Sequence, residues 1–220
     1  MEIINPGQED HHVHSLNYSD GMNTIDQLVW FAGKIGLTKL TITDHCKAYL
    51  KFNNYGKKCS INLLERWENV LNNVDVHFGV EGDVLDGNGN VSIQIGPRRF
   101  KYVILSVHPE VYKGDPDKIT QAYIKAIKKH YKEITLIGHP CSGYFPSLDI
   151  VELTKVANDY NIAMEFNCAN LGQPKTKEDK IIQMLDLSDR IYVNSDAHTL
   201  NQLRDLRPKG FEYLKTGGWI

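Results

Sequence analysis

The chain has 220 residues, 41% of them apolar, which suffices for one sizeable core and a single domain over residues 1–220. A formal net charge of −2 offers no strong field for DNA or an anionic membrane surface. No apolar run approaches the roughly 18 residues of a membrane span. The start Met1-Glu2-Ile3-Ile4-Asn5-Pro6 also lacks a basic segment followed by an apolar core, so a cytoplasmic enzyme or binding domain is expected.

The elements alternate along the chain. Glu9 to His12 reads as a strand, and Thr24 with Gln27 three residues later forms a capping box for a helix with the stripe Ile25, Leu28, Val29, Ala32 and Ile35, closed by Gly36. Lys39 to Asp44 is a strand, Lys47 to Lys58 a basic loop, and Ser60 opens a helix with Leu64, Trp67 and Leu71 on one side. Val76 to Glu81 and Phe100 to His108 are strands. Asp115-Pro116 then starts a helix with Ile119, Ala122, Tyr123, Ala126 and Ile127 on one face. Thr135 to Gly138 is a strand, Ser147 caps a helix to about Tyr160, Ala163 to Asn167 is a strand, Thr176 to Leu187 is helical, and Ile191 to Ser195 is the seventh strand.

The chemistry lies at the ends of these runs. In Asp10-His11-His12-Val13-His14 the period-two alternation of a strand lets His12 and His14 share a face and grip one ion, while His11 points away. Asp20, Thr43-Asp44-His45, Glu81, His108, Gly138-His139 and Asp196-Ala197-His198 also begin or end apolar runs. Strand ends spread along a line in an open doubly wound sheet, whereas a barrel gathers them at one mouth. The expected fold is therefore α/β, a distorted (βα)7 TIM-like barrel with its site at the C-terminal mouth.

The donor set of six imidazoles and three carboxylates suits Zn²⁺, Mn²⁺ or Fe²⁺ better than Ca²⁺ or Mg²⁺. Cys46, Cys59, Cys141 and Cys168 have no Cys-x-x-Cys spacing and read as reduced thiols; Cys46 and Cys141 lie near His45 and His139 but read first as small packing residues. Asp10 either orients a ligand imidazole or caps the floor of the barrel, and Asp44 turns to the other face from His45. His77 and His130 belong to no motif and read as surface or helix-end residues. Lys57-Lys58 reads as solvated loop charge. Lys47, Lys113, Arg98, Arg99 and Arg204 are the cations available to a phosphate, and Asn167 and Asn170 end the sixth strand either as substrate donors or as turn formers.

These motifs, from Asp10 to His198, resemble the PHP (polymerase and histidinol phosphatase) superfamily. The resemblance implies a distorted barrel and three divalent ions. His12, His14, Glu81 and Asp196 would hold the first ion. Glu81, bridging, with His108 and His139 would hold the second, and Asp20, His45 and His198 the third; many relatives have a histidine where this chain has Asp20. It implies a metal-dependent phosphoesterase acting on a small phosphate monoester through a metal-bridging hydroxide, with Glu81, Asp196 and His198 catalytic and no residue assigned to protonate the leaving group. Asn167, Lys113 and Arg204 are the candidate substrate contacts. Histidinol-phosphatase relatives carry arginines in loops over the mouth, whereas the loop after His139 here reads Pro140-Cys141-Ser142-Gly143-Tyr144. A nuclease or a nucleotide bisphosphate phosphatase of the same superfamily stays open. Long nucleic acid fits poorly without a basic and aromatic stripe. An amidohydrolase, which would use a metal-bridging lysine where this chain has Glu81, fits less well.

Overall fold

The computed structural model describes residues 1–55 and 61–220. The expectations for Lys57, Lys58, Cys59 and Ser60 lie outside the described residues. In chain order the strands and α-helices are β1 (Glu2–Ile3), β2 (Glu9–Val13), α1 (Ile25–Lys34), β3 (Lys39–Ile42), α2 (Lys47–Phe52), β4 (Asp75–Phe78), β5 (Val80–Val84), β6 (Val91–Ser92), β7 (Gln94–Ile95), β8 (Arg98–Arg99), β9 (Val103–Ser106), α3 (Ile119–His130), β10 (Leu136–Ile137), α4 (Ile150–Asp159), β11 (Ala163–Asn167), α5 (Glu178–Leu187), β12 (Arg190–Asn194) and α6 (Leu200–Thr216).

Two parallel sheets carry the fold. One has the order β1-β12-β11-β10-β9-β5-β6, with only the β5–β6 pairing antiparallel; the other is β2-β3-β4. Single bridges join them on both sides, Val13 with Ala197 and His45 with Glu81. Backbone bonds follow the same seams, His14 N–H to Ala197 O at 2.9 Å and Cys46 N–H to Glu81 O at 2.8 Å. The C-terminal ends of β2, β3, β5 and β12 are thereby brought together, which positions the site.

The helices pack as their sequence stripes require. α1 starts at the Thr24–Gln27 capping box and buries Ile25, Leu28, Val29 and Ala32; Gly36 follows with φ +82°. α3 buries Ile119, Ala122, Tyr123, Ala126 and Ile127 against a core that also takes Leu153 and Ala157 of α4 and Ile181, Met184 and Leu185 of α5. Each fully buried aliphatic side chain contributes on the order of 2 kcal/mol.

Several expectations are corrected. The run Val76 to Glu81 is not one strand: it breaks at Gly79, so that β4 pairs with β3 and β5 pairs with β9. A Cβ at Gly79 would meet the Tyr102 carbonyl at 2.7 Å, so only glycine allows the chain to change sheets there. The segment Lys47–Phe52, expected as loop, is the short helix α2, whose Tyr49 ring packs on the site. The helix expected to run to Leu71 is a single 3-10 turn, Ile61–Glu65, with Leu71 exposed and Trp67 bonded to Asp26 through its indole N–H. Asp149 rather than Ser147 caps α4. The largest unexpected element is α6, which follows the last strand and holds Pro208 in its interior.

Candidate metal centre

The site is built from strand ends. β2 carries His12, and His14 follows it; the loop beyond supplies Asp20, held close because Gly21 packs directly on the His14 carbonyl, where a Cβ would collide. His45 follows β3, Glu81 lies on β5, His108 and His139 follow β9 and β10, and Asp196 and His198 follow β12. Two of these residues hold left-handed backbone, His139 at φ +27° and Asp196 at φ +55°. Such conformations are costly for residues with a Cβ and concentrate at functional sites.

The six imidazoles gather around the three carboxylates Glu81, Asp196 and Asp20. Glu81 lies 2.6 Å from His139 Nε2, 2.9 Å from His45 Nδ1, 3.5 Å from His14 Nε2, 3.6 Å from His12 Nε2 and 3.7 Å from His108 Nε2. Asp196 Oδ1 is 3.2 Å from His14 Nε2 and 3.4 Å from His12 Nε2. Asp20 Oδ1 is 3.3 Å from His198 Nε2, 3.4 Å from His45 Nε2 and 3.8 Å from His14 Nδ1. Three overlapping groups have donor atoms within 4.8 Å of one another: His14, Asp20, His45 and His198; His12, His14 and Glu81; and His45, Glu81 and His108.

Whether metal ions fit can be read from unpaired atoms. His12 Nε2, His14 Nε2, His45 Nδ1 and Glu81 Oε2 are buried with no hydrogen-bond partner. Four such atoms facing one another is the arrangement that buried polar groups avoid unless something binds them. The donors are imidazole and carboxylate, and burial raises the Cys46 thiol far above its usual range and Cys141 to about 12, which removes both as ready thiolates. Cys46 donates to Asp83 Oδ2 at 3.3 Å and Cys141 belongs to the core. The residues fit divalent ions.

Without ions the cluster is strongly polarised. Burial opposes charge on His45, but Glu81 and Asp20 overcome it and raise its pKa to about 10. Burial and the neighbouring His198 and His45 lower His14 to about 3. Burial would raise Glu81, but His45, His108 and His12 hold it well below the carboxylate range.

The outer nitrogens of two of these imidazoles, His12 and His108, are anchored by residues that sequence reasoning missed. His12 Nδ1 is 2.7 Å from Glu165 Oε1, and Glu165 also accepts from the His139 N–H at 2.8 Å, Asn194 Nδ2 at 2.8 Å and Asn167 Nδ2 at 3.0 Å. His108 Nδ1 is 2.8 Å from Asp83 Oδ1, which also accepts the His108 backbone N–H. Such carboxylates fix ring orientation and raise ligand basicity. The signal available was position: Glu165 and Asp83 are charged residues within strands whose neighbours are apolar or glycine. Tyr49, also missed, stacks on His45 with centroids 3.7 Å apart and points its hydroxyl at Asp20.

Asp10 anchors no imidazole. Its Oδ1 accepts the backbone N–H groups of His12 and Ser195, tying β2 to the segment after β12. Asp44 turns away from the cluster and accepts from Ser15, with burial raising its pKa to about 7. His11 does not point to the opposite face. A bulge sets three steps along β2 against two along β3, so consecutive His11 and His12 reach the same sheet face, His11 packing on Tyr192 and His12 bonding Glu165, residues paired across β11 and β12.

Among the substrate candidates, Asn167 is buried and donates to Asp196 Oδ2 at 3.0 Å and to Glu165. Lys113 bonds the Glu110 carbonyl and lies over Phe52. Arg204 bonds Asp205 and Asn201 on exposed α6. Neither cation contacts the cluster. His77 is exposed and pairs with Asp75, and His130 ends α3.

A parallel α/β fold with imidazoles and carboxylates gathered at its strand ends is of the class suited to metal binding, and comparison with known proteins names the family. Residues 10–186 match the PHP domain model, and the chain belongs to that family. It is 28% identical over 200 residues to a probable phosphatase of Caldicellulosiruptor bescii, covering 85% of this chain and 78% of that protein. It is 26% identical over 231 residues to a probable histidinol-phosphatase of Thermotoga maritima, covering 95% of each. Its fold is similar to that of histidinol phosphate phosphatase from Lactococcus lactis, solved with zinc, L-histidinol and phosphate, at a TM-score of 0.53 and 14% identity over 92% of this chain and 93% of that one. A putative histidinol phosphatase from Listeria monocytogenes gives a TM-score of 0.57 at 14% identity, covering 91% and 99%.

Proposed function

We propose that the protein is a metal-dependent phosphatase hydrolysing a small phosphate monoester, with the two bridged sheets forming the distorted (βα)7 barrel of its family. The observation that carries the reading is the gathering of six imidazoles around Glu81, Asp196 and Asp20, with four buried ligand-type atoms lacking a hydrogen-bond partner. The family and the phosphatase relatives support it.

His12, His14, Glu81 and Asp196 would hold one ion, Glu81 with His108 and His139 a second, and Asp20 with His45 and His198 a third. Zinc, manganese or iron suits these donors. Bound there, such ions supply Lewis acidity toward phosphoryl oxygens and make water a stronger acid. The chain's own part is positioning. Glu165, through His12 and the His139 backbone, and Asp83, through His108, fix the imidazoles before substrate arrives, which is the preorganisation an in-line displacement at phosphorus requires. Tyr49 shields His45 from solvent by stacking on it, and Asn167 holds one Asp196 oxygen while the other faces His12 and His14.

The test is phosphate release by protein loaded with Zn²⁺ or Mn²⁺, with bound metal counted per chain. Release from small monoesters with two or three ions bound supports the reading. Cleavage of a single-stranded oligonucleotide alone would replace it with a nuclease, and metal binding without any phosphate release would overturn it.

A further inference from the structure

A cavity of about 470 Å³ opens beside Asp196 and His198. Clefts of this size hold a small organic ligand, so it has room for far more than a phosphate group. Two of its walls are candidate metal ligands; the remainder comes from the segments after β10 and β11 and from the first turn of α6. It therefore lies where the alcohol part of a monoester would extend once its phosphate met the ions.

The chemistry of this cavity is one-sided. Among the described residues, Lys175 is its only lysine or arginine and Asp196 its only acid. Asp196 is already engaged, facing His12 and His14 through one oxygen and accepting from Asn167 through the other. Lys175 has no ion-pair partner among the described residues. Gln202 also lines the cavity, and its Oε1 already accepts the backbone N–H groups of His198 and Thr199, at 2.8 and 3.1 Å, leaving its NH₂ to donate. The positive end of α6, a helix of 17 residues, adds to the same sign. The Lys175 backbone is fixed in place: Gly143, at φ +76°, packs against the Lys175 carbonyl so closely that a Cβ there would collide. A cationic alcohol such as histidinol would find no free carboxylate in this cavity, whereas an anion would find an ammonium group and neutral donors.

We propose that this cavity selects the substrate, and that Lys175 receives a second anionic group, so the preferred class is a phosphate monoester whose alcohol part carries a carboxylate or another phosphate. The assignment rests on the phosphatase reading above and narrows it.

The test compares kcat/KM for phosphoglycerate, a hexose bisphosphate, glycerol phosphate and L-histidinol phosphate, using metal-loaded protein and the Lys175→Ala, Lys175→Glu and Lys175→Arg variants. The expected result is a preference of roughly tenfold or more for an anionic substrate over glycerol phosphate, as one charge-assisted contact provides. Lys175→Ala removes most of that ratio through KM, Lys175→Arg keeps it, and Lys175→Glu shifts preference toward L-histidinol phosphate. Inhibition by glycerate, the product bearing only the second anion, weakens in parallel and reads binding apart from turnover. Which anionic substrate leads decides between carboxylate and phosphate. Equal rates on all four substrates, or a Lys175→Ala loss equal for glycerol phosphate and phosphoglycerate, would overturn the assignment while leaving a phosphatase. No phosphate release from any substrate would overturn both.

Discussion

Two buried polar networks border α6, one before its first turn and one at its middle, and they handle burial in different ways. Near the middle of the helix, Arg207 is almost fully enclosed and fully used: Nε donates to the Val193 carbonyl at 2.8 Å, Nη2 to the Asn5 carbonyl at 2.9 Å and Nη1 to the Gly7 carbonyl at 3.2 Å. Asn5 completes the arrangement, accepting the Val193 N–H and donating back to its carbonyl. Before the first turn of the same helix, the heart of the cluster around Glu81 is as deeply buried yet leaves four ligand-type atoms without a hydrogen-bond partner. A polar group whose bonds all close within the chain holds the fold together, whereas groups that face one another unpaired await a ligand. The contrast matches the roles proposed for them, Arg207 in stability and the imidazoles in binding.

The largest effect that could break this contrast is at Glu81, the carboxylate shared by two of the three donor groups. Glu81→Ala should lower phosphate release on the order of a thousandfold or more and reduce the metal bound per chain. Full metal content in the variant, measured by elemental analysis, would contradict the bridging role.

Arg207 should show the opposite pattern. Arg207→Met removes the guanidinium donors from the carbonyls of Asn5 and Gly7 and one of two side-chain donors from that of Val193, and should cost about 3 kcal/mol of stability in denaturant unfolding. Metal bound per folded chain should stay at the parent value. A metal deficit as large as that of Glu81→Ala would mean that the two networks are one.

This division explains how much was legible in the sequence. The His-x-His pair, Asp20, His45, Glu81, His108, His139, Asp196 and His198 could be read because each stands at the end of an apolar run, and strand ends in an alternating α/β chain share one side. Glu165 and Asp83 could not be assigned roles because they act through another residue's ring, and nothing in a one-dimensional pattern says which ring a mid-strand carboxylate will meet. The face of His11 was misread because a bulge is a property of the pairing between β2 and β3, not of either strand alone. The break at Gly79 was hidden for a similar reason, since the crowding carbonyl belongs to Tyr102. α6 was hidden by Pro208 and Gly210, both helix breakers by propensity. Tertiary contact overrides them: Gly210 lets the helix approach Cys168 so closely that a Cβ would collide, and Arg207 ties the helix to β12.

A smaller effect separates the residues that hold ions from those that hold ligands. Glu165→Gln keeps the size of the side chain and one accepting oxygen, but removes the charge beside His12 Nδ1 and puts an NH₂ in place of the other oxygen. Metal affinity should fall roughly 10- to 100-fold, as it does when an outer carboxylate is removed from a histidine ligand. Excess metal should restore most of the phosphate release, which it would not do for Glu81→Ala. Titration with a competing chelator reads the difference directly, and an unchanged affinity would reduce Glu165 to a backbone tether for His139.

The finest test is the pH dependence of stability with and without ions. In the metal-free chain burial opposes charge on His45, yet Glu81 and Asp20 raise its pKa from 6.5 to about 10, and His12, His139 and His198 are also raised by neighbouring carboxylates against burial. A group with a raised folded pKa contributes stability that is fully present below its unfolded value and lost as pH rises through the folded one. The partner carboxylates Glu81, Asp196 and Asp20 are lowered, so their contribution is present above their unfolded values of 4.5 and 3.8 and lost as pH falls. His14, lowered to about 3, opposes the other imidazoles but is outnumbered. The melting temperature of the metal-free protein should therefore be highest between about pH 4.5 and 6.5 and fall steadily toward pH 10. Metal binding requires neutral imidazoles, so its stabilisation grows over the same interval. The gap in melting temperature between metal-loaded and metal-free protein should widen as pH rises through that interval. Parallel curves would mean that the imidazoles are not the groups exchanging protons for metal.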